Sequence, residues 1–293
     1  MFTATLIAAG RLTPSIVADA QGRLAAAGCA PAACAWIDEG DAADWHFDHD
    51  PTAARAALEQ AFEHVDVVVQ PRDGRRKMLL VADMDSTMIT VECIDELADY
   101  AGLKPKIAAI TEAAMRGELD FEAALDARVA LLRGLDAGVI DACLAERVRL
   151  MPGARALVRT MRGWGATAVL VSGGFTRFAG PVASDIGFDR AIANVLEIDG
   201  DVLAGTVSRP IVGAATKRAT LIETRTALGL DAAATLAVGD GANDLAMIEV
   251  AGLGVAYHAK PIVAAAAAAR IGHGDLTALL WAQGVPKAQW HAD

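Results

Sequence analysis

Residues 78–88 read MLLVADMDSTM. The apolar run 78–82, bounded by polar residues, fits a strand buried on both faces of a parallel sheet. Asp83 and Asp85 would then stand at its carboxyl end, where open α/β sheets bind ligands. An ordinary turn accounts for an isolated D-x-D-S-T equally well, because Asp and Ser are common turn residues. The rest of the chain decides between the two.

Working outward, two further apolar runs end in polar residues of other kinds. Residues 167–171 lead into Ser172-Gly173-Gly174-Phe175. A hydroxyl and two glycines between strand and helix allow a tight turn, close backbone approach and free N–H groups, as an anion at a helix N-terminus needs. Residues 235–238 lead into Gly239-Asp240-Gly241-Ala242-Asn243-Asp244 and a helix to Ala251. Asp240 and Asp244 there supply the further hard oxygen ligand that a divalent cation needs beside Asp83 and Asp85. Lys217 opens a predicted helix over 217–228. A lysine at a helix start is usually solvated, since the dipole disfavours cations there, but beside a bound phosphate the position makes electrostatic sense. Residues 154–162 form an amphipathic helix, 191–209 a hairpin-like excursion turning at 198–201, and 252–256 a short strand with His258 and Lys260 in the loop beyond.

Between the first two of these strands, 91–150 is helical throughout: IDELADYAG, KIAAITEAAMRG, FEAALDARVALLRG and VIDACLAERV follow one another with polar or glycine breaks. A helical insert directly after the first strand is expected to cap the strand ends, and such lids exclude water.

Ahead of this body, the pattern is strand 2–8, a helix from Thr13-Pro14 to about Gly28, weak strands at 32–37 and 45–47, a helix over 51–63 and a strand at 65–69. Pro after Thr marks the first helix start. The order βαββαβ is ferredoxin-like, with Gly10 at a tight turn after the first strand. His46 and His49 are read as surface histidines, because no third ligand accompanies them. PRDGRRK, at 71–77, is read as a linker. The expected division is 1–72 and 73–293, with the cap at about 91–150.

At 293 residues the chain can bury a full core, and it is 54% hydrophobic but only 5% aromatic, as close-packed helices on a sheet require. A net charge of −11 argues against a nucleic-acid surface. No apolar stretch approaches the ~18 to 20 residues that cross a bilayer, and the start has neither a basic region nor a cleavage site. A soluble, cytoplasmic protein without a membrane partner is therefore expected. Cys29, Cys34, Cys93 and Cys143 lack C-x-x-C spacing, so neither a zinc site nor a disulfide framework is indicated.

D-x-D-S-T at Asp83, S-G-G at Ser172, Lys217 and G-D-G-x-N-D at Gly239 resemble the four motifs of the haloacid dehalogenase-like hydrolases, over residues 78 to about 259, and no motif position departs. With Glu92, Met115, Phe121 and Arg128 in the cap, they are similar to the phosphoserine phosphatase family. The N-terminal pattern resembles an ACT-type domain. The fold so implied is α/β: a Rossmann-like parallel sheet with a helical cap after the first strand, and a small ferredoxin-like domain ahead of it. The activity implied is hydrolysis of O-phospho-L-serine, the last step of phosphorylated serine biosynthesis. Asp83 would be the nucleophile and Asp85 the general acid and base. Mg2+ would be held by Asp83, the Asp85 main-chain carbonyl and Asp240. Ser172, Gly173, Gly174, Lys217 and Asn243 would hold the phosphate, and Asp244 would orient Lys217 or a metal-bound water. Glu92 would meet the substrate ammonium, Arg128 its carboxylate, while Met115 and Phe121 shield the site. Homodimer formation stays open. So do two alternatives: a phosphotransferase or other small-molecule phosphatase with the same aspartyl-phosphate, and an amino-acid-binding regulatory protein with a vestigial phosphatase body.

Overall fold

The structure, a computed structural model, describes residues 1–115 and 118–291, and side chains other than those of 112–115. The N-terminal part runs β1 (Phe2–Ile7), α1 (Pro14–Ala26), β2 (Ala35–Asp38), β3 (Ala42–Phe47), α2 (Pro51–Leu58) and β4 (Asp66–Pro71). Its strands form one antiparallel sheet in the order β2-β3-β1-β4. Both helices start as their sequences dictate: Thr13 and Asp50 accept from the N–H three residues on, with proline next in line. The two-residue period of β1 sends Ala4 and Leu6 into a core with Leu24 and Leu58 of the helices. Thr3 and Thr5 point the other way and are buried as well.

The body continues with β5 (Leu79–Ala82), then the helices α3 (Cys93–Tyr100), α4 (Lys104–Met115), α5 (Phe121–Ala130) and α6 (Gly138–Glu146). Next come α7 (Ala154–Gly163), β6 (Thr167–Phe175), α8 (Thr176–Ile186), β7 (Arg190–Asn194), β8 (Leu196–Asp199) and β9 (Val202–Val207). The chain ends through α9 (Ala214–Ala227), β10 (Thr235–Gly239), α10 (Leu245–Ile248), β11 (Leu253–Tyr257), α11 (Pro261–Ala266), β12 (Ala269–Ile271) and α12 (Ala278–Ala282). Six strands make a parallel sheet in the order β12-β11-β10-β5-β6-β7, so β5 lies inside it.

The apolar run of β5 follows from this position. Leu79 and Val81 pack with Leu221, Met247 and Val263 on one face. Leu80 and Ala82 pack with Leu157, Phe178 and Leu279 on the other. Both faces are covered, so no polar residue can alternate in. After β5 the chain builds outward through β6 and β7, then returns to build β10 to β12 on the opposite side. That reversal is the switch point at which such sheets form a crevice.

Several expected boundaries move. β3 begins at Ala42 and includes His46, whose Nδ1 lies 2.9 Å from Thr3 Oγ1, so this histidine belongs to the sheet and not to a polar loop. α2 stops at Leu58. β6 runs on to Phe175, which places Ser172 to Gly174 in extended chain and not in a turn. β7 joins the main sheet, and only β8 and β9 form the hairpin, turning at Gly200 with φ +60°. α9 starts at Ala214, ahead of Lys217, and the helix after Asp244 ends at Ile248. β12 carries no periodic signal because it is three residues long.

Residues 71–77 are more than a linker. The Arg75 guanidinium donates to both Asp44 oxygens, to Thr5 Oγ1 at 2.9 Å, and to the carbonyls of Trp281 at 3.1 Å and Ala282 at 2.8 Å. Asp66 accepts from the amides of Gly272 and Gly274 at 2.8 and 2.7 Å. Lys77 is buried, with its ammonium on the carbonyls of Gly74 and Ala233. Polar residues that would be exposed on an isolated N-terminal sheet are thus satisfied against the body. Among the described residues, no helix is long and apolar enough to cross a membrane.

Removing Arg75 tests this docking. Arg75→Ala leaves the Asp44 carboxylate, 8% exposed, without its cation, and should lower the unfolding free energy by about 3 kcal/mol in urea titrations. A change below ~0.5 kcal/mol would mean that the contact is not stabilising.

Candidate active site

Register fixes the site. Ala82 of β5 pairs with Val238 of β10 and Leu170 of β6, and the Asp83 N–H extends the ladder onto the Val238 carbonyl at 3.0 Å. The residues just past these level points face one cavity of about 510 Å³. Asp83, Asp85, Ser172, Gly173, Gly174, Asp240 and Asn243 line its floor. Glu92, Phe121 and Arg128, from the interposed helices, line its other wall.

Beneath the floor lies Lys217, wholly buried. Its Nζ sits 2.6 Å from Asp83 Oδ1 and 2.7 Å from Asp244 Oδ1. Burial opposes its charge, but Asp83 and Asp244 outweigh that and raise its pKa. An unpaired ammonium here would cost several kcal/mol. The second oxygen of Asp244 accepts from Gly241 N at 3.0 Å, so this carboxylate is engaged on both sides. Gly239 must lack a side chain, because a Cβ there would come 2.3 Å from the Asp244 carboxylate carbon.

Acids dominate what remains. Burial, and then Asp244, push the Asp83 carboxyl up against the pull of Lys217. Burial, and then Glu92, raise Asp85 to about 7. Burial, and then Asp244, raise Asp240 to about 6. Carboxylate oxygens of Asp83, Asp240 and Asp244 lie within 4.8 Å of one another. Buried, mutually repelling oxygens of this type suit a hard divalent cation. Asp244 is already held by Lys217 and Gly241, which leaves Asp83 and Asp240 as the side chains freest to ligate.

Several positioning contacts had no signal in the sequence. Ser86, at φ +56°, donates from Oγ to Glu92 Oε1 at 2.6 Å. Thr87 Oγ1 donates to Asp240 Oδ1 at 3.1 Å. Both hydroxyls stand in the opening stretch, but their partners are fixed only by tertiary structure. Asn194, 2% exposed, donates to the Gly173 carbonyl at 2.8 Å and accepts from Val212 N at 2.7 Å. It ties the S-G-G segment to Val212, two residues ahead of α9, the helix that carries Lys217. Gly173 and Gly213 both make room for Phe121: a Cβ would come within 3.1 and 3.3 Å of its ring. Lys260, expected only as a loop residue, lines the cavity. Met115 ends α4, and its side chain lies outside the described residues.

The geometry can be set beside known proteins. The family model for haloacid dehalogenase-like hydrolases matches residues 80–249. A phosphoserine phosphatase of Mycobacterium tuberculosis is 45% identical over 234 residues, 79% of this chain and 57% of that protein. The chain therefore spans little more than half the length of that relative. A phosphoserine phosphatase of a Polaromonas species is 47% identical over 207 residues, 69% of this chain and 88% of that protein. The crystal structure of an unliganded, probable phosphoserine phosphatase from Vibrio cholerae superposes with a TM-score of 0.76 at 34% identity, covering 96% of this chain and 88% of that one.

A cation site made of repelling carboxylates should reveal itself in stability. Magnesium at about 100-fold over its Kd should stabilise the fold by about 2.7 kcal/mol. By calorimetry this is about 5 °C in Tm. Asp240→Asn should remove most of that rise, and an undiminished rise would place the ion elsewhere.

Proposed function

The chain belongs to the haloacid dehalogenase-like hydrolases, and from that premise we propose that it hydrolyses O-phospho-L-serine to L-serine and phosphate. The observation that carries the proposal is a single cavity with two unlike walls. One wall offers paired carboxylates beside a buried lysine, which suits phosphoryl transfer. The other offers Glu92 and Arg128, which suit the ammonium and carboxylate of an amino acid. We take 1–72 and 73–293 as two domains, with 91–150 as the cap.

Asp83 attacks phosphorus: a bond forms from its carboxylate oxygen as the bond from phosphorus to the seryl oxygen breaks. Lys217 steadies the attacking carboxylate and meets charge on the phosphoryl oxygens, while Asp244 keeps the ammonium aimed at the strand end. Asp85 protonates the departing seryl oxygen. A carboxyl held near 7 by burial and by Glu92 can give a proton in this step and take one from water in the next. That water forms a new bond to phosphorus, the bond from phosphorus to the Asp83 oxygen breaks, and the Asp83 carboxylate is regenerated.

Ser172 Oγ already accepts from Gly174 N at 2.8 Å, so its own proton is free for a phosphate oxygen. Asn243 lines the same wall. Asp83, the Asp85 main chain and Asp240 would hold Mg2+, whose chemistry there is to neutralise the phosphate and draw it to the nucleophile. Thr87 fixes one Asp240 oxygen and leaves the other for the ion. Ser86 holds Glu92 toward the cavity, and Phe121, against Gly173 and Gly213, closes it from water.

Two measurements test the proposal. Asp83→Asn should cut phosphate release from O-phospho-L-serine by about 10⁴-fold or more, as loss of a covalent nucleophile does, and unchanged turnover would overturn the mechanism. Arg128→Ala should raise KM for phosphoserine about 10- to 100-fold, the loss of a charge-assisted contact of ~1.5 to 3 kcal/mol. Turnover of an aryl phosphate, which has no carboxylate, should be little changed. Arg128→Lys should not restore KM, since an ammonium lacks the bidentate fork.

A further inference from the structure

A phosphate monoester carries two negative charges, and this chain carries a net −11. Asp85, Glu92, Asp95 and Asp240 line the cavity it must enter. Lys217 lies beneath the floor, held by Asp83 and Asp244. Arg128 is partly buried in the field of Asp95 and Glu92. A cation exposed at the cavity wall would act on the dianion earlier than either of these.

Lys260 occupies such a position. It lines the cavity next to the Asp240 loop, its side chain is exposed, and it makes no ion pair among the described residues. Its backbone is pinned: the N–H donates to the Asp240 carbonyl at 3.3 Å, and its carbonyl accepts from Val263 and Ala264 at 2.9 and 3.0 Å. Pro261 follows as the first residue of α11. A flexible charged stem thus leaves from a rigid point at the cavity wall.

We propose that Lys260 is a specificity-determining residue that draws the phosphate dianion past the carboxylates, raising kcat/KM without taking part in the chemical step. The inference deepens the phosphatase reading of this cavity and rests on it. Local cations at a low-dielectric cleft raise the encounter and binding of an anion, and salt screens the effect.

The test uses the full chain at saturating magnesium, so that effects on the metal are held constant. At an ionic strength of about 20 mM, Lys260→Ala should lower kcat/KM for phosphoserine about 3- to 10-fold, with kcat within about twofold. Lys260→Glu should lower it further, and Lys260→Arg should restore it. The gap should close at about 0.5 M salt, where screening acts over only a few ångströms. Lys287→Ala removes the same charge from a site paired with Asp41 and should change nothing. A kcat/KM for Lys260→Ala equal to wild type, a loss that survives high salt, or an equal loss in Lys287→Ala would each overturn the proposal.

Titration with inorganic phosphate reads the same cation without phosphoserine. Weaker, salt-sensitive phosphate binding in Lys260→Ala sustains the role of Lys260 even if the wild type leaves phosphoserine intact, an outcome that would overturn the substrate assignment alone. Unchanged phosphate affinity overturns the role of Lys260 whatever the substrate.

Discussion

The structure turns on one buried ammonium. Lys217 has no access to solvent and is stable there only because Asp83 and Asp244 approach it from two different strand ends. Removing a charge from water costs several kcal/mol, and only close, well-aimed partners offset it. That requirement propagates outward. Gly239 must be bare for Asp244 to fold back, Gly241 N must hold the other Asp244 oxygen, and Asn194 must anchor Val212 so that α9 delivers the lysine at the right height. Strand register and cavity floor are therefore one arrangement.

The same ammonium explains the balance of charge around the cavity. One cation serves two carboxylates, so Asp240 and Asp85 are left to repel their neighbours, and burial adds to the pressure on both. A site made only for stability would not keep such groups. Buried, mutually repelling carboxylates of this kind suit a hard cation, and they mark a place where local rules of good packing give way to chemistry.

Much of this was legible in the sequence, for a physical reason. A strand covered on both faces can tolerate no alternation, so 78–82 announces its place in the sheet directly. Polar residues just past three such runs announce the cavity, and the parallel sheet and the small antiparallel one both match the expected class. What stayed hidden depends on partners distant in sequence. Asn194 is an ordinary polar residue at a strand end until its bonds to Gly173 and Val212 are seen. Lys217 reads as a helix opener because no local pattern shows that α9 begins at Ala214. Arg75 reads as a linker charge, since nothing nearby in the chain reveals Asp44 or the Trp281 carbonyl as its acceptors.

The Arg75 clamp also bears on the order in which the molecule can assemble. Thr5 and Asp44 precede Arg75, but its remaining acceptors, at Trp281 and Ala282, come more than 200 residues later. At ribosomal rates of about 5 to 20 residues per second, that interval is roughly 10 to 40 s. The first sheet can thus pair Arg75 with Thr5 and Asp44 at once, while Gln70 and Asp66 stay hydrated until their partners at 272–282 are made. Docking of the small sheet therefore waits for α12, whose residues also complete the larger core.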